Sequence, residues 1–209
     1  HLSRGADRSD SSGYSSRMKF GVIAVFCLLS IVGNLATSFL ASALHIPIFL
    51  DTIFTVAITF YAGLVPGLIV AVLHNPIRTF IRSVIYGTSL FYFGSLYAVC
   101  GMLIALSTWI FSRNKKDFFF NRTVTVLYLL IIVFVSSFLS CFSASALDTF
   151  IRPLLNDSLR FFPTDIFSIP FQKLKFGMFL SYLLPRIPIT VLDRLICTFS
   201  GLGLYRLVE

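Results

Sequence analysis

Few side chains in this sequence can do chemistry, and they gather at the ends of apolar stretches. From Met18 onward the acids are Asp51, Asp117, Asp148, Asp157, Asp165, Asp193 and Glu209, and the histidines are His45 and His74. Most of the acids fall in loops. Asp51 and Asp193 instead stand in the first turn of an apolar stretch, each after the same device. Ile46-Pro47-Ile48-Phe49-Leu50-Asp51 leads to Thr55, and Ile187-Pro188-Ile189-Thr190-Val191-Leu192-Asp193 leads to Cys197 and Thr198. Two matches this short do not separate an internal repeat from a capping device used twice. A carboxylate at a helix N-terminus is favoured by the helix dipole, which accounts for both positions without a ligand.

Other polar groups share these ends. His45 closes the first apolar stretch, His74, Asn75 and Arg78 close the third, and Arg186 precedes the last. Taken singly, each histidine reads as an interfacial residue with its polar tip in water. Taken together, they would ring a cavity with aromatic walls from Phe49, Phe54, Tyr61 and Phe80. Apolar walls with a few placed polar groups are what a small organic ligand needs. The candidate binding set is therefore His45, Asp51, Thr55, His74, Asn75, Arg78, Arg186 and Asp193. No enzyme, cofactor or metal site is expected. The sequence has no HExxH, no GxSxG, no P-loop and no Gly-rich dinucleotide turn. His45 and His74 lack a full donor set. Cys27, Cys100, Cys141 and Cys197 all lie in apolar stretches, where they act as small apolar residues.

The elements that position these groups are membrane helices. Hydrophobic residues make up 56% of the chain and charged residues 12%, and the mean hydropathy is +0.88. A soluble domain carries roughly twice that charged fraction. The apolar runs continue to the end of the sequence, unlike those of a secreted protein with one signal peptide. Residues 1–17 are polar and rich in Ser, Gly and Arg, which predicts disorder. Met18 and Lys19 open the apolar region, so 1–17 reads as a tag or upstream segment, or alternatively as a natural cytoplasmic tail. Residues 18–209 then form one all-α transmembrane domain.

A spanning helix needs about 20 apolar residues. Spans are predicted over about 20–43, 86–111, 123–146 and 189–208. The stretch from 46 to 73 is too long for one, and Gly63-Leu64-Val65-Pro66-Gly67 interrupts it with a turn signal. It reads either as one kinked helix or as two, over about 48–62 and 66–82. Lys and Arg in short loops mark the cytoplasmic side. Two helices put Arg17 and Lys19, the Arg113–Lys115–Lys116–Arg122 loop, and Arg206 on one face; one helix does not. The expectation is six spans with both termini cytoplasmic. In the long connection from Asp148 to Pro188, about 176–184 is too short to span and is expected as an interfacial or re-entrant helix on the outside.

Small residues let membrane helices approach closely. Gly63, Gly67, Ala71 and Asn75 recur at steps of four, Gly94 with Ala98 and Gly101 with Ala105 form similar stripes, and the first span carries Gly33, Thr37 and Ala41. These stripes read as packing faces within the bundle. For Gly33, Thr37 and Ala41 the other reading is a docking face for a partner helix.

The segments Ile46-Pro47-Ile48-Phe49-Leu50-Asp51 through Gly63-Leu64-Val65-Pro66-Gly67 to Asn75, and the closing Arg186 to Leu207, carry a family likeness. With six helices in about 190 residues, the chain resembles the substrate-binding S components of energy-coupling-factor (ECF) vitamin transporters. The resemblance implies a multi-pass protein of the bacterial cytoplasmic membrane that captures a vitamin or related micronutrient from outside. It also implies partners: a transmembrane coupling subunit, met through a small-residue motif on the first helix, and two cytoplasmic ATPases. The nearest match to that motif is Gly33, Thr37 and Ala41. No nucleic-acid partner is implied. The alternative is the ligand-sensing membrane domain of a signalling protein, to which such bundles are also similar. A purely structural membrane subunit is a third possibility and predicts no cavity behind Asp51 and Asp193.

Overall fold

The computed structural model describes residues 7–87, 91–151, 153–155, 170 and 177–208. All regular structure among these residues is helical: α1 Asp7–Ala43, α2 Ile53–Ala62, α3 Leu64–Tyr86, α4 Phe91–Leu96, α5 Ala98–Ser112, α6 Lys115–Phe118, α7 Arg122–Ala146 and α8 Met178–Val208. A π turn over Leu147–Ile151 and a 3₁₀ turn over Pro153–Leu155 follow α7. Five segments are long and apolar enough to cross a membrane: Lys19–Ala43, Leu64–Ile85, Gly94–Ser112, Arg122–Ile151 and Met178–Val208. Their lipid-type surface is explicit, with Leu28, Val32, Val84, Phe134 and Phe138 all exposed.

Several expected boundaries move, each for a local reason. Helix α2 begins at Ile53 rather than near 48, because residues 46–52 are irregular backbone held at Leu50 by side chains of α1 and α8. At ten residues it rises only about 15 Å, half of a bilayer core. The expected second span is therefore a short helix joined to an irregular segment. Such backbone is tolerated at membrane depth where protein surrounds it. Helix α3 runs longer than expected, from Leu64 to Tyr86, with Pro66 in its first turn and Pro76 inside it. The fourth predicted span breaks at Tyr97, whose amide donates to the Gly94 carbonyl (3.3 Å) and whose carbonyl accepts from Cys100 (3.0 Å). These i to i+3 bonds tighten the chain there and re-aim α4 against α5. The predicted interfacial helix 176–184 and the last span 189–208 form one continuous helix, α8, with Pro185 and Pro188 inside it. Residue 176 and most of the preceding connection lie outside the described residues. The helix of the first span extends back to Asp7, into the segment expected to be disordered. Residues 1–6 lie outside the described residues.

The bundle is assembled on small residues and on α2. Helices α3 and the α4–α5 pair run antiparallel with their two small-residue stripes interlocked. A Cβ added to Gly67 would lie 3.4 Å from Ala105, one on Gly101 3.2 Å from Ala71, and one on Gly94 2.7 Å from Thr79. The packing reading of both stripes holds. Helix α2 is central, touching α1, α3, α5 and α8. Val56, Ile58 and Phe60 are fully buried in it. Around them close Ile104, Phe118, Leu129, Ile132, Leu202 and Tyr205 on one side, and Cys27, Ile31 and Val70 on the other. Gly201 of α8 lets that helix lie against α2, since a Cβ there would stand 2.7 Å from Val56 and 2.9 Å from the Ile53 carbonyl.

The C-terminal end of α2 is closed by a cation. Lys115 of α6 donates its Nζ to the Phe60 carbonyl (2.7 Å), over the rings of Tyr205 (4.7 Å), Phe60 (5.6 Å) and Phe119 (5.7 Å). A lysine there satisfies an orphan carbonyl and complements the helix dipole, and the aromatic faces favour its charge. The ends of α2 and α8 and the α6 turn thus meet at one end of the bundle, with Arg113, Lys116, Arg122 and Arg206 exposed around them. Among the described residues the buried charges, Asp148, Arg186, Asp193 and Arg194, lie toward the opposite end.

The close approach of α8 to α2 makes a direct prediction. Gly201→Val is expected to destabilise the protein by about 1–3 kcal/mol through overpacking, read as a lower thermal unfolding midpoint in detergent. Gly203→Ala, where the added methyl meets open space, should leave the midpoint in place. Equal effects from the two would contradict this packing.

Candidate functional site

Two adjacent residues of α8 organise the end of the bundle away from the basic loops. Asp193 is fully buried, and its Oδ1 accepts from two backbone amides, Phe49 (2.9 Å) and Leu50 (2.8 Å). Its Oδ2 accepts from the Arg194 guanidinium. Leu50 takes a left-handed backbone conformation (φ 46°), which costs a branched residue about 1–3 kcal/mol unless its surroundings impose it. Here they do. Its amide is held by Asp193, and its carbonyl accepts from Thr37 Oγ1 of α1 at 2.5 Å. The irregular 46–52 segment is in this way fastened to α8 on one side and α1 on the other.

Arg194 reaches from the same point to the start of α2. Its Nη1 donates to Thr52 Oγ1 (2.5 Å), and its Nη2 lies 3.6 Å from Asp51 Oδ1. The other Asp51 oxygen accepts from Arg78 Nη1 of α3 at 3.2 Å. Asp51 therefore sits between two guanidinium groups. Asn34 of α1 completes the seal over α2. Its Nδ2 donates to Thr55 Oγ1 (2.9 Å), and its Oδ1 accepts from the Phe54 amide (3.0 Å), one of the orphan donors at a helix N-terminus. A second ionic centre lies beside this one. Asp148, in the π turn after α7, pairs with Arg186 of α8 at 2.6 Å and accepts from the Tyr97 hydroxyl at 2.5 Å.

His74 is the exception in this paired interior. It is 2% exposed, and neither Nδ1 nor Nε2 has a hydrogen-bond partner. It lies one turn before Arg78 on the same face of α3, close enough to Asp51 and Arg78 to feel their charges. Arg194 Nε and the hydroxyls of Ser137, Ser140 and Thr198 are likewise enclosed without a partner. Buried polar atoms are nearly always satisfied, so a group of open ones marks a place for water or a ligand.

Of the residues expected at a binding site, the structure brings Asp51, His74, Arg78 and Asp193 together. Asp51 and Arg78 pair with each other, and Asp193 is taken by Arg194 and by the Phe49 and Leu50 amides. Thr55 is taken by Asn34. Arg186 pairs with Asp148 rather than with Asp51. Asn75 is buried next to His74. His45 is exposed in the turn after α1, with a left-handed backbone (φ 53°), and does not join the cluster. The expected aromatic walls are also displaced. Phe80 is 58% exposed on α3. Tyr61 packs on Phe26 (centroids 5.0 Å apart) toward the basic end, because it stands at the opposite end of α2 from Asp51. Tyr61 and Phe54 line an apolar groove of about 180 Å³ between α1, α2 and α8, open to the outside of the bundle. Gly33, Thr37 and Ala41, read as packing positions or as a partner-docking face, have neighbours within the chain. Phe54 fills the space over Gly33, Thr37 holds the Leu50 carbonyl, and Ala41 is 1% exposed.

Arg194, Asp148, Tyr97, Thr52 and Asn34 were not singled out from the sequence. The Asp193–Arg194 dipeptide did carry a signal, because two adjacent charges inside an apolar stretch must find partners in the bundle. Comparison of the chain with known protein families, with curated proteins and with solved structures gives no match.

The two ionic centres behave differently from surface salt bridges, because a member left alone stays buried and charged. Asp193→Ala is expected to cost about 3–5 kcal/mol of stability, measured by thermal unfolding in detergent. Asp148→Asn and Arg186→Gln should each be destabilising, while the double variant should cost clearly less than the sum of the two. Simple additivity would show that the pair does not act as a unit.

Proposed function

We propose that this chain is an outward-facing capture protein of the bacterial cytoplasmic membrane, binding a vitamin or related small micronutrient. In this reading it works as the substrate-binding subunit of an ECF-type importer, with a transmembrane coupling subunit and two cytoplasmic ATPases. The observation that carries the reading is His74. A 2% exposed imidazole with both nitrogens open, beside Asp51 and Arg78 in an otherwise apolar bundle, has little structural use. It fits a site whose missing partners come from a bound solute.

The charge distribution supports the orientation. Arg113, Lys116, Arg122 and Arg206 collect at one end, and the positive-inside rule assigns that end to the cytoplasm. Both termini then lie inside. Residues 46–52 and α2 together make the second of six passes, and the clamped segment around Asp51 faces outward. The small residues of α1 are occupied within the chain. The coupling subunit is therefore assigned to the exposed face of α1, where Gly21, Val22, Val25, Phe26 and Leu29 line an apolar hollow of about 400 Å³.

The test is binding to the purified chain in lipid nanodiscs, screened across the water-soluble vitamins by thermal shift. A ligand at one hundred times its Kd stabilises by about 2.7 kcal/mol, a shift well above the noise of such a screen. At least one vitamin should raise the midpoint, and His74→Phe should abolish that rise. A midpoint unmoved by every vitamin would refute the capture role.

A further inference from the structure

We infer that the solute this site accepts is uncharged and presents both hydrogen-bond donors and acceptors, as amide-bearing or hydroxyl-bearing heterocycles do; the inference rests on the capture reading above. Among the described residues the cluster holds three carboxylates, Asp51, Asp148 and Asp193, and three guanidinium groups, Arg78, Arg186 and Arg194. Each lies in an ion pair no longer than 3.6 Å.

The balance restricts the ligand. Side-chain exposure in the set runs from 0% at Asp148 and Asp193 to 18% at Arg78. An anionic ligand would compete with a carboxylate for its guanidinium, and a cationic one with a guanidinium for its carboxylate. Either exchange leaves the displaced partner charged and alone in a low-dielectric interior, which buried pairs tolerate poorly. Asp193 is the least able to yield. Its carboxylate also holds the Phe49 and Leu50 amides, so drawing Arg194 away would leave a buried anion on the segment that closes the site.

What remains open in the cluster is neutral in its demands. An uncharged imidazole offers one N–H donor and one acceptor nitrogen, a guanidinium Nε–H donates, and a hydroxyl does either. His74, Arg194 Nε and, one turn on along α8, the Thr198 hydroxyl supply these functions. A solute with both donors and acceptors satisfies them without disturbing any pair. A pure hydrocarbon leaves them unsatisfied.

Matched probes that share a ring and differ in charge give the test. Kd is measured on the full chain in nanodiscs for riboflavin against its 5′-phosphate, and for nicotinamide against nicotinate, with thiamine as a cation. Within a pair that binds, the neutral member should bind at least tenfold more tightly. His74→Phe should weaken it tenfold or more, and His74→Gln, which keeps a donor and an acceptor, should stay within about threefold. Unfolding midpoints of both variants control for folding. A charged probe that binds as tightly as its neutral partner, or thiamine as the tightest ligand, overturns the charge inference and leaves the capture role standing. Failure of all five probes and of every other vitamin overturns the capture role itself.

Discussion

The fold depends on one buried carboxylate. Asp193 holds two consecutive backbone amides with one oxygen and a guanidinium with the other. Through that contact an irregular stretch of chain can exist among membrane helices. Backbone without helical bonding is unaffordable against lipid. Between Ile46 and Thr52, side chains of α1 and α8 supply the partners that a helix would have supplied from within. The left-handed Leu50 is the local sign of this arrangement. Everything downstream follows from it: where α2 begins, why α2 is short, and why Asp51 ends up between Arg78 and Arg194.

The same constraint divides the bundle into two halves. Toward the basic end, Val56 and Phe60 of α2 are wrapped by Leu129, Ile132 and Leu202, and the helix is closed by Lys115 in its aromatic surround. Toward the other end the interior is ionic. Among the described residues six charged side chains meet in pairs, beside helices α3, α4 and α5 that approach closely on their small residues. Apolar packing in one half positions polar groups in the other. His74 stands near the junction, about 15 Å along α3 from its start, where a ligand would meet both.

The helical class, the membrane setting and the small-residue seams were legible in the sequence, because each is a property of local composition or of residue spacing. Runs of about 20 apolar residues must be helical in lipid. Gly67, Ala71, Gly101 and Ala105 announce close approach wherever the partner lies. The polar cluster was legible only as a set of names. Asp51, Arg78, Asp193 and His74 were visible as polar residues near helix ends, but nothing in their spacing told ligand-binding groups from groups that bind one another. Nothing in the spacing of Asn34 along the first apolar stretch showed that its amide caps a helix twenty residues away.

By itself the sequence determined that this chain is helical, that it belongs in a membrane, and where its basic loops lie. Those facts depend on hydropathy and on the backbone's need for internal hydrogen bonds, both of which are local. The tertiary structure alone decided that the second apolar stretch is half a helix, that α8 runs unbroken through Pro185 and Pro188, and that the acids and arginines neutralise each other. It also decided that His74 is left open. Pairing among buried charges is a long-range choice. It depends on which side chains the packed helices bring within about 4 Å, and no pattern along a single chain records that distance.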